Sequence, residues 1–68
     1  MIAVNGSPDA RVVPGSTVAA LLELLGVAAD GLGIAVAVDA EVVPRPEWPA
    51  FAIPDGARVE ILTAVQGG

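Results

Sequence analysis

Hydrophobic and polar positions change their period several times along this chain, and each change marks an element. Ile2 and Val4 alternate with Met1, Ala3 and Asn5, the two-residue period of a half-buried strand. Asn5-Gly6 then supplies the residues most able to take positive φ, a hairpin signal. Arg11-Val12-Val13 reads as the returning strand, ended by Pro14-Gly15, and Pro8, which has no N–H, belongs at a sheet edge or in the turn. The period then lengthens. Val18, Leu21, Leu22 and Leu25 fall at i, i+3, i+4 and i+7, the apolar stripe of one amphipathic helix. Thr17 or Ser16 can cap its start through a hydroxyl that accepts from an orphan backbone N–H. Glu23 lies off the stripe, and Gly26 suits a left-handed C-terminal cap. The stripe reads as core packing.

Residues 27–33 form a loop with Asp30-Gly31 and Gly33. The run from Ile34 to Val38 is apolar on both faces, with small Ala35 and Ala37 on one of them, which predicts a central strand. Asp39-Ala40 turns the chain into Glu41-Val42-Val43. Ala40 fits a primed turn poorly, so a bulged or type I turn is expected there. Pro44-Arg45-Pro46-Glu47-Trp48-Pro49 cannot continue a ladder and predicts an irregular segment with one short helical turn. Trp48 and Phe51 fold back to plug the end of the core. Pro54-Asp55-Gly56 is a turn, and residues 58–64 are the last strand. In it Val59 and Ile61 face the helix, while Arg58, Glu60 and Leu62 face away. Leu62 either forms, with Ala35 and Ala37, an exposed apolar patch or is covered by a neighbouring loop.

The order strand, strand, helix, strand, strand, strand predicts an α+β fold, a mixed sheet of about four to five strands with one helix across a face. Sixty-eight residues make one domain near the lower size limit for unaided folding. With 54% hydrophobic residues in so short a chain, some apolar surface stays outside, which favours a partner-binding protein. Cys, His, Lys and Tyr are absent. Their absence removes the thiolate nucleophile, the imidazole base, the Schiff-base amine and the soft metal ligands, so no metal site is expected. A carboxylate pair needs a cleft that so small a domain seldom provides. Composition therefore argues against an enzyme. The net charge of −5 disfavours nucleic acid and anionic membranes and suits a basic patch on a protein partner. The opening residues lack the basic region and long apolar core of a signal peptide, and the longest apolar run, 31–38, is too short to span a bilayer. The expected compartment is the cytoplasm.

What remains chemically distinctive is the end, Val65-Gln66-Gly67-Gly68. Residues 1–64 read as the domain and 65–68 as a tail. Two residues without side chains can enter a narrow channel with any backbone angles. Extended, the four residues reach roughly 13 Å, at about 3.3 Å each. The α-carboxyl of Gly68, with a reference pKa of about 3.5, is ionised at neutral pH. In a chain without side-chain nucleophiles it is the best group for another protein's active site to activate. The alternative is a frayed terminus without function.

This order of elements together with the diglycine resembles the ubiquitin-like β-grasp fold, and more narrowly the sulfur carrier (ThiS) family of thiamine thiazole biosynthesis. The resemblance covers essentially the whole chain. It rests on Val4-Asn5-Gly6, Thr17-Val18 with Leu21-Leu22, and Ala35-Val36-Ala37-Val38 leading to Val42-Val43-Pro44-Arg45 and Trp48. It closes on residues 55–62 running into Gly67-Gly68. The family often has Asn-Gly where this chain has Asp39-Ala40, and an acidic residue in place of Ala57; both departures lie in turns. The resemblance implies that a ThiF-type adenylating enzyme uses ATP and Mg²⁺ to adenylate Gly68. Sulfur drawn from a cysteine desulfurase or another donor then leaves a thiocarboxylate on Gly68, and a ThiG-type thiazole synthase takes that sulfur. Val65, Gln66 and Gly67 would thread the tail, and Leu62 and Ala64 would lie on the partner-binding face. The alternatives are the small subunit of molybdopterin synthase, another ubiquitin-like sulfur carrier, or a passive β-grasp interaction module.

Overall fold

The computed structural model describes residues 1–27 and 33–63. Its elements are β1 (Ala3–Val4), β2 (Ser7–Pro8), α1 (Val18–Leu24), β3 (Ile34–Val38), β4 (Glu41–Val42), a 3-10 turn (Arg45–Glu47) and β5 (Arg58–Thr63). The five strands form one mixed sheet in the order β2-β1-β5-β3-β4. β1 runs parallel to β5, and the other pairings are antiparallel. The middle of the sheet is thus β5; β3 is interior, as its two apolar faces suggest, but lies one place to the side.

The first hairpin is tighter than its apolar pattern predicts. Asn5 and Gly6 both have positive φ, 50° and 85°, so Ser7 is already opposite Val4. The returning strand is Ser7–Pro8 rather than Arg11–Val13. Pro8 sits on the sheet edge, where its missing N–H costs no ladder bond. Arg11-Val12-Val13 is instead a turn: the Val12 amide donates to the Asp9 carbonyl at 3.2 Å, and the Val12 side chain drops into the core. The Arg11 guanidinium and backbone amide both donate to the Asp9 carboxylate. Those bonds, the side-chain ones foremost, hold Asp9 at a pKa of about 2.

α1 is short but closed at both ends. Thr17 Oγ1 accepts from the Ala20 amide at 3.1 Å. The Val18 and Ala19 amides, which have no partner inside the helix, donate to the carbonyls of Phe51 and Trp48 at 3.0 and 3.1 Å. At the other end the Val27 amide reaches the Leu22 carbonyl and the Gly26 amide the Glu23 carbonyl, with Gly26 at φ 74°. That double closure is the Schellman arrangement, and it needs the left-handed residue that glycine supplies.

The core lies between α1 and the inner face of the sheet. Val18, Leu21 and Leu22 meet Val36, Val38 and Val59, with Ile2 and Ile53 fully buried. Each such leucine contributes roughly 1.5–3 kcal/mol over its exposed state. Trp48 is buried as well, and its indole N–H donates to the Val43 carbonyl at 2.8 Å. Phe51 is half-buried beside it.

The second hairpin departs from expectation. Asp39 and Ala40 have φ of 51° and 69°, and Val38 pairs with Glu41, so the turn is primed despite its alanine. An L-residue there bears left-handed strain of about 1–2 kcal/mol, whereas glycine bears none but loses more chain entropy. Ala40→Gly is expected to stabilise the domain by about 0.5–1 kcal/mol. An upward shift of the thermal midpoint is the check, and a downward shift would refute the primed geometry.

Candidate functional site

The tail itself, Val65, Gln66, Gly67 and Gly68, together with Ala64, lies outside the described residues. What is described is β5, which ends at Thr63, and the surface around that end. β5 alternates: Val59 is buried and Ile61 half-buried toward α1, while Arg58, Glu60 and Leu62 face outward. Leu62 is 65% exposed, so among the two sequence readings the uncovered patch is correct. Its partner across the β3–β5 ladder is Ala35, also exposed, and Glu60 faces Ala37. Small alanines on β3 leave the leucine standing proud of the sheet. Gly33, Ile34, Ala35, Leu62 and Thr63 border a shallow, mainly apolar recess of about 280 Å³ at the point where the chain enters the tail.

Val42 extends this surface. It lies opposite Ala37 on the same outer face and is 68% exposed. Sequence reasoning passed over it, although a signal was present. With a two-residue turn at Asp39-Ala40, the alternation that buries Val43 must turn Val42 outward. The outer face therefore carries Leu62, Ala35, Ala37 and Val42 on one half and the charged pair Glu60 and Arg58 on the other. A larger concavity of about 680 Å³, bordered by Ala3, Asn5, Gly6, Arg58, Val59 and Glu60, opens beside the charged half. Among the described residues its titratable side chains are Arg58 and Glu60, and a guanidinium and an exposed carboxylate offer no nucleophile–base pair.

Two side chains fix β5 from either side. The Ile61 amide donates to Asn5 Oδ1 at 2.8 Å, and the Arg58 amide donates to Asp39 Oδ1 at 2.9 Å. The site is thus a strand hydrogen-bonded along both edges with an apolar shoulder, and the described residues surrounding it supply no catalytic constellation. No described helix is long and apolar enough to cross a membrane.

The family model that matches this chain is that of the ThiS family, over residues 2–68. The chain belongs to the ThiS family. Solved structures agree. The crystal structure of the thiamine biosynthesis protein ThiS from Geobacter metallireducens superposes with a TM-score of 0.78 at 31% identity, covering 98% of this chain and 97% of that one. The solution structure of a thiamine biosynthesis protein from Geobacter metallireducens gives a TM-score of 0.74 at 34% identity, covering 98% and 86%. No curated protein matches. Among the described residues one α-helix packs on a mixed five-stranded sheet, matching these ThiS structures, so the β-grasp expectation holds.

Proposed function

We propose that this ThiS-family chain is a sulfur carrier of thiamine biosynthesis, a co-substrate of partner enzymes rather than a catalyst. Family membership over residues 2–68, a match that extends through Gly67-Gly68, is the observation that carries the reading. The exposed apolar shoulder at Leu62 supports it, because a carrier needs a docking face close to the group it presents.

The chemistry follows from the weakness of a carboxylate as an acyl donor. Its oxide is a poor leaving group, so the Gly68 carboxylate must first be activated. In the proposed sequence a carboxylate oxygen attacks the α-phosphorus of Mg²⁺-bound ATP on a ThiF-type enzyme, and pyrophosphate departs. The terminal sulfur of a persulfide, drawn from a cysteine desulfurase or another donor, then attacks the acyl carbon and AMP leaves with the oxygen. A second thiol attacks the donor cysteine's own sulfur in the resulting acyl disulfide, forming a new disulfide with it and leaving the transferred terminal sulfur on Gly68 as the thiocarboxylate. A ThiG-type thiazole synthase accepts that sulfur. Glycines at Gly67 and Gly68 keep the acyl carbon free of side chains that a narrow channel would exclude.

Incubation with ATP, Mg²⁺, the activating enzyme and a persulfide source tests the reading. Intact-mass measurement is expected to show one oxygen exchanged for sulfur, localised by fragmentation to the last residue. An unchanged mass under conditions that modify a known ThiS would sink it.

A further inference from the structure

The hydrogen bond at Asn5 stands at a particular place in the ladder. β1 runs parallel to β5, and the Asn5 amide donates to the Val59 carbonyl at 2.8 Å. In a continuing parallel ladder the next bond would run from the Ile61 amide back to the Asn5 carbonyl. The chain instead turns away at Asn5, whose φ is 50°. Its side-chain oxygen takes over, accepting from the Ile61 amide at 2.8 Å. β1 pairs with β5 only at Arg58 and Val59, so this bond carries β5's attachment on that side two residues further toward the tail. Ile61 is separated from Thr63, the last described residue, by Leu62 alone. Asp39 makes the same kind of bond to Arg58, but at the opposite end of the strand and from the β3 side.

We propose that Asn5 is a positioning residue for the chemistry of the tail. The β3 ladder holds β5 through Thr63 on one edge; by holding Ile61, Asn5 ties the other edge as well and so limits the directions from which residues 64–68 enter a partner's active site. Asp39, at the far end of the strand, has no such role. This inference rests on the carrier reading. Leu62, on the outer face, docks the domain; Asn5, at the strand edge, aims what the domain delivers. The two therefore act on different kinetic constants.

The test compares Asn5→Gly, Asp39→Gly and Asn5→Asp in the sulfur-uptake assay. Glycine accepts positive φ without strain, so the first two variants each remove one side-chain acceptor and leave the turn intact. Asn5→Gly is expected to lower kcat roughly tenfold, with KM for the carrier within about twofold, because misplacement of reacting atoms slows the chemical step. Its Ile61 amide should exchange with solvent faster. Asp39→Gly should leave kcat within about twofold, and Asn5→Asp, which keeps the acceptor oxygen, should restore most of the rate. Equal losses in Asn5→Gly and Asp39→Gly would reduce the bond to ordinary sheet stability and overturn the proposal. So would an unchanged kcat in Asn5→Gly with fast exchange at Ile61. A wild-type chain that takes up no sulfur overturns the carrier reading itself, and this inference with it.

Discussion

Removal of Gly68 is expected to abolish sulfur uptake, by roughly a thousandfold or more, without moving the thermal midpoint. The reason is geometric. In the proposed carrier the reacting atom is the acyl carbon of the last residue, and its distance from the folded domain is set by the number of tail residues. Deleting one residue retracts that carbon by about 3.5 Å, and adding one advances it as far. Misplacement by about 1 Å already costs on the order of 10²-fold when a reaction depends on approach geometry. The deletion should therefore be silent in the fold and fatal in the chemistry, and a one-residue extension nearly as damaging. Capping Gly68 as the terminal amide keeps the length and removes the nucleophilic oxygen, so it should also eliminate uptake. A passive interaction module would be indifferent to all three changes. Uptake by the deletion variant at even a tenth of the wild-type rate would refute the carrier assignment.

Much of the fold was legible in the sequence, and what was not failed for identifiable reasons. The helix could be read because several signals agreed: the stripe Val18, Leu21, Leu22, the cap at Thr17 and the stop at Gly26 all appear where expected. The turn at Pro54-Asp55-Gly56 and the alternation of Arg58 to Leu62 were equally direct, with the Ala57 amide closing on the Pro54 carbonyl. Arg11-Val12-Val13 misled because β-branched residues favour strands on average, whereas here Val12 is buried from a turn. The two-residue turn at Asn5-Gly6 left no room for a returning strand that late. At Asp39-Ala40 local preference also lost to tertiary context: the Asp39 amide and side chain both bond to Arg58, and that pairing holds Ala40 at an unfavourable φ. The parallel pairing of β1 with β5 joins residues at opposite ends of the chain, and no local period encodes it.

The same division holds at the candidate site. Leu62 was legible as an outward residue because alternation along β5 is strict, but whether anything covers it depends on neighbours distant in sequence. Val42 required a register that only the turn geometry supplies. Asn5 read as a turn former, which it is, while the use of its side-chain oxygen on Ile61 depends on a strand more than fifty residues away. Turn-forming asparagine and aspartate have an acceptor to spare once the backbone has turned. In this domain both spare acceptors, those of Asn5 and Asp39, are spent on β5, the last described strand.

Leu62→Asp is expected to raise KM for the activating enzyme by roughly 10–100-fold while leaving kcat near its wild-type value. A leucine buried at an interface contributes roughly 1.5–3 kcal/mol, and each 1.4 kcal/mol is about a factor of ten in affinity. The side chain is 65% exposed in the free domain, so its replacement removes little from the core. Surface substitutions of this kind usually change stability by about 0.5 kcal/mol or less, with a further modest cost for aspartate in a strand. Leu62→Thr, which places a strand-favouring β-branched residue at the position, separates these effects: it should bind weakly yet melt like wild type. The sign of the charge makes the test sharper. The chain already carries a net charge of −5, so a docking step governed by attraction to a basic partner would be helped by one more carboxylate. An increase in KM for Leu62→Asp therefore identifies desolvation of the apolar shoulder as the decisive contribution. A decrease would assign docking to charge, and loss of the folded state would place Leu62 in the core.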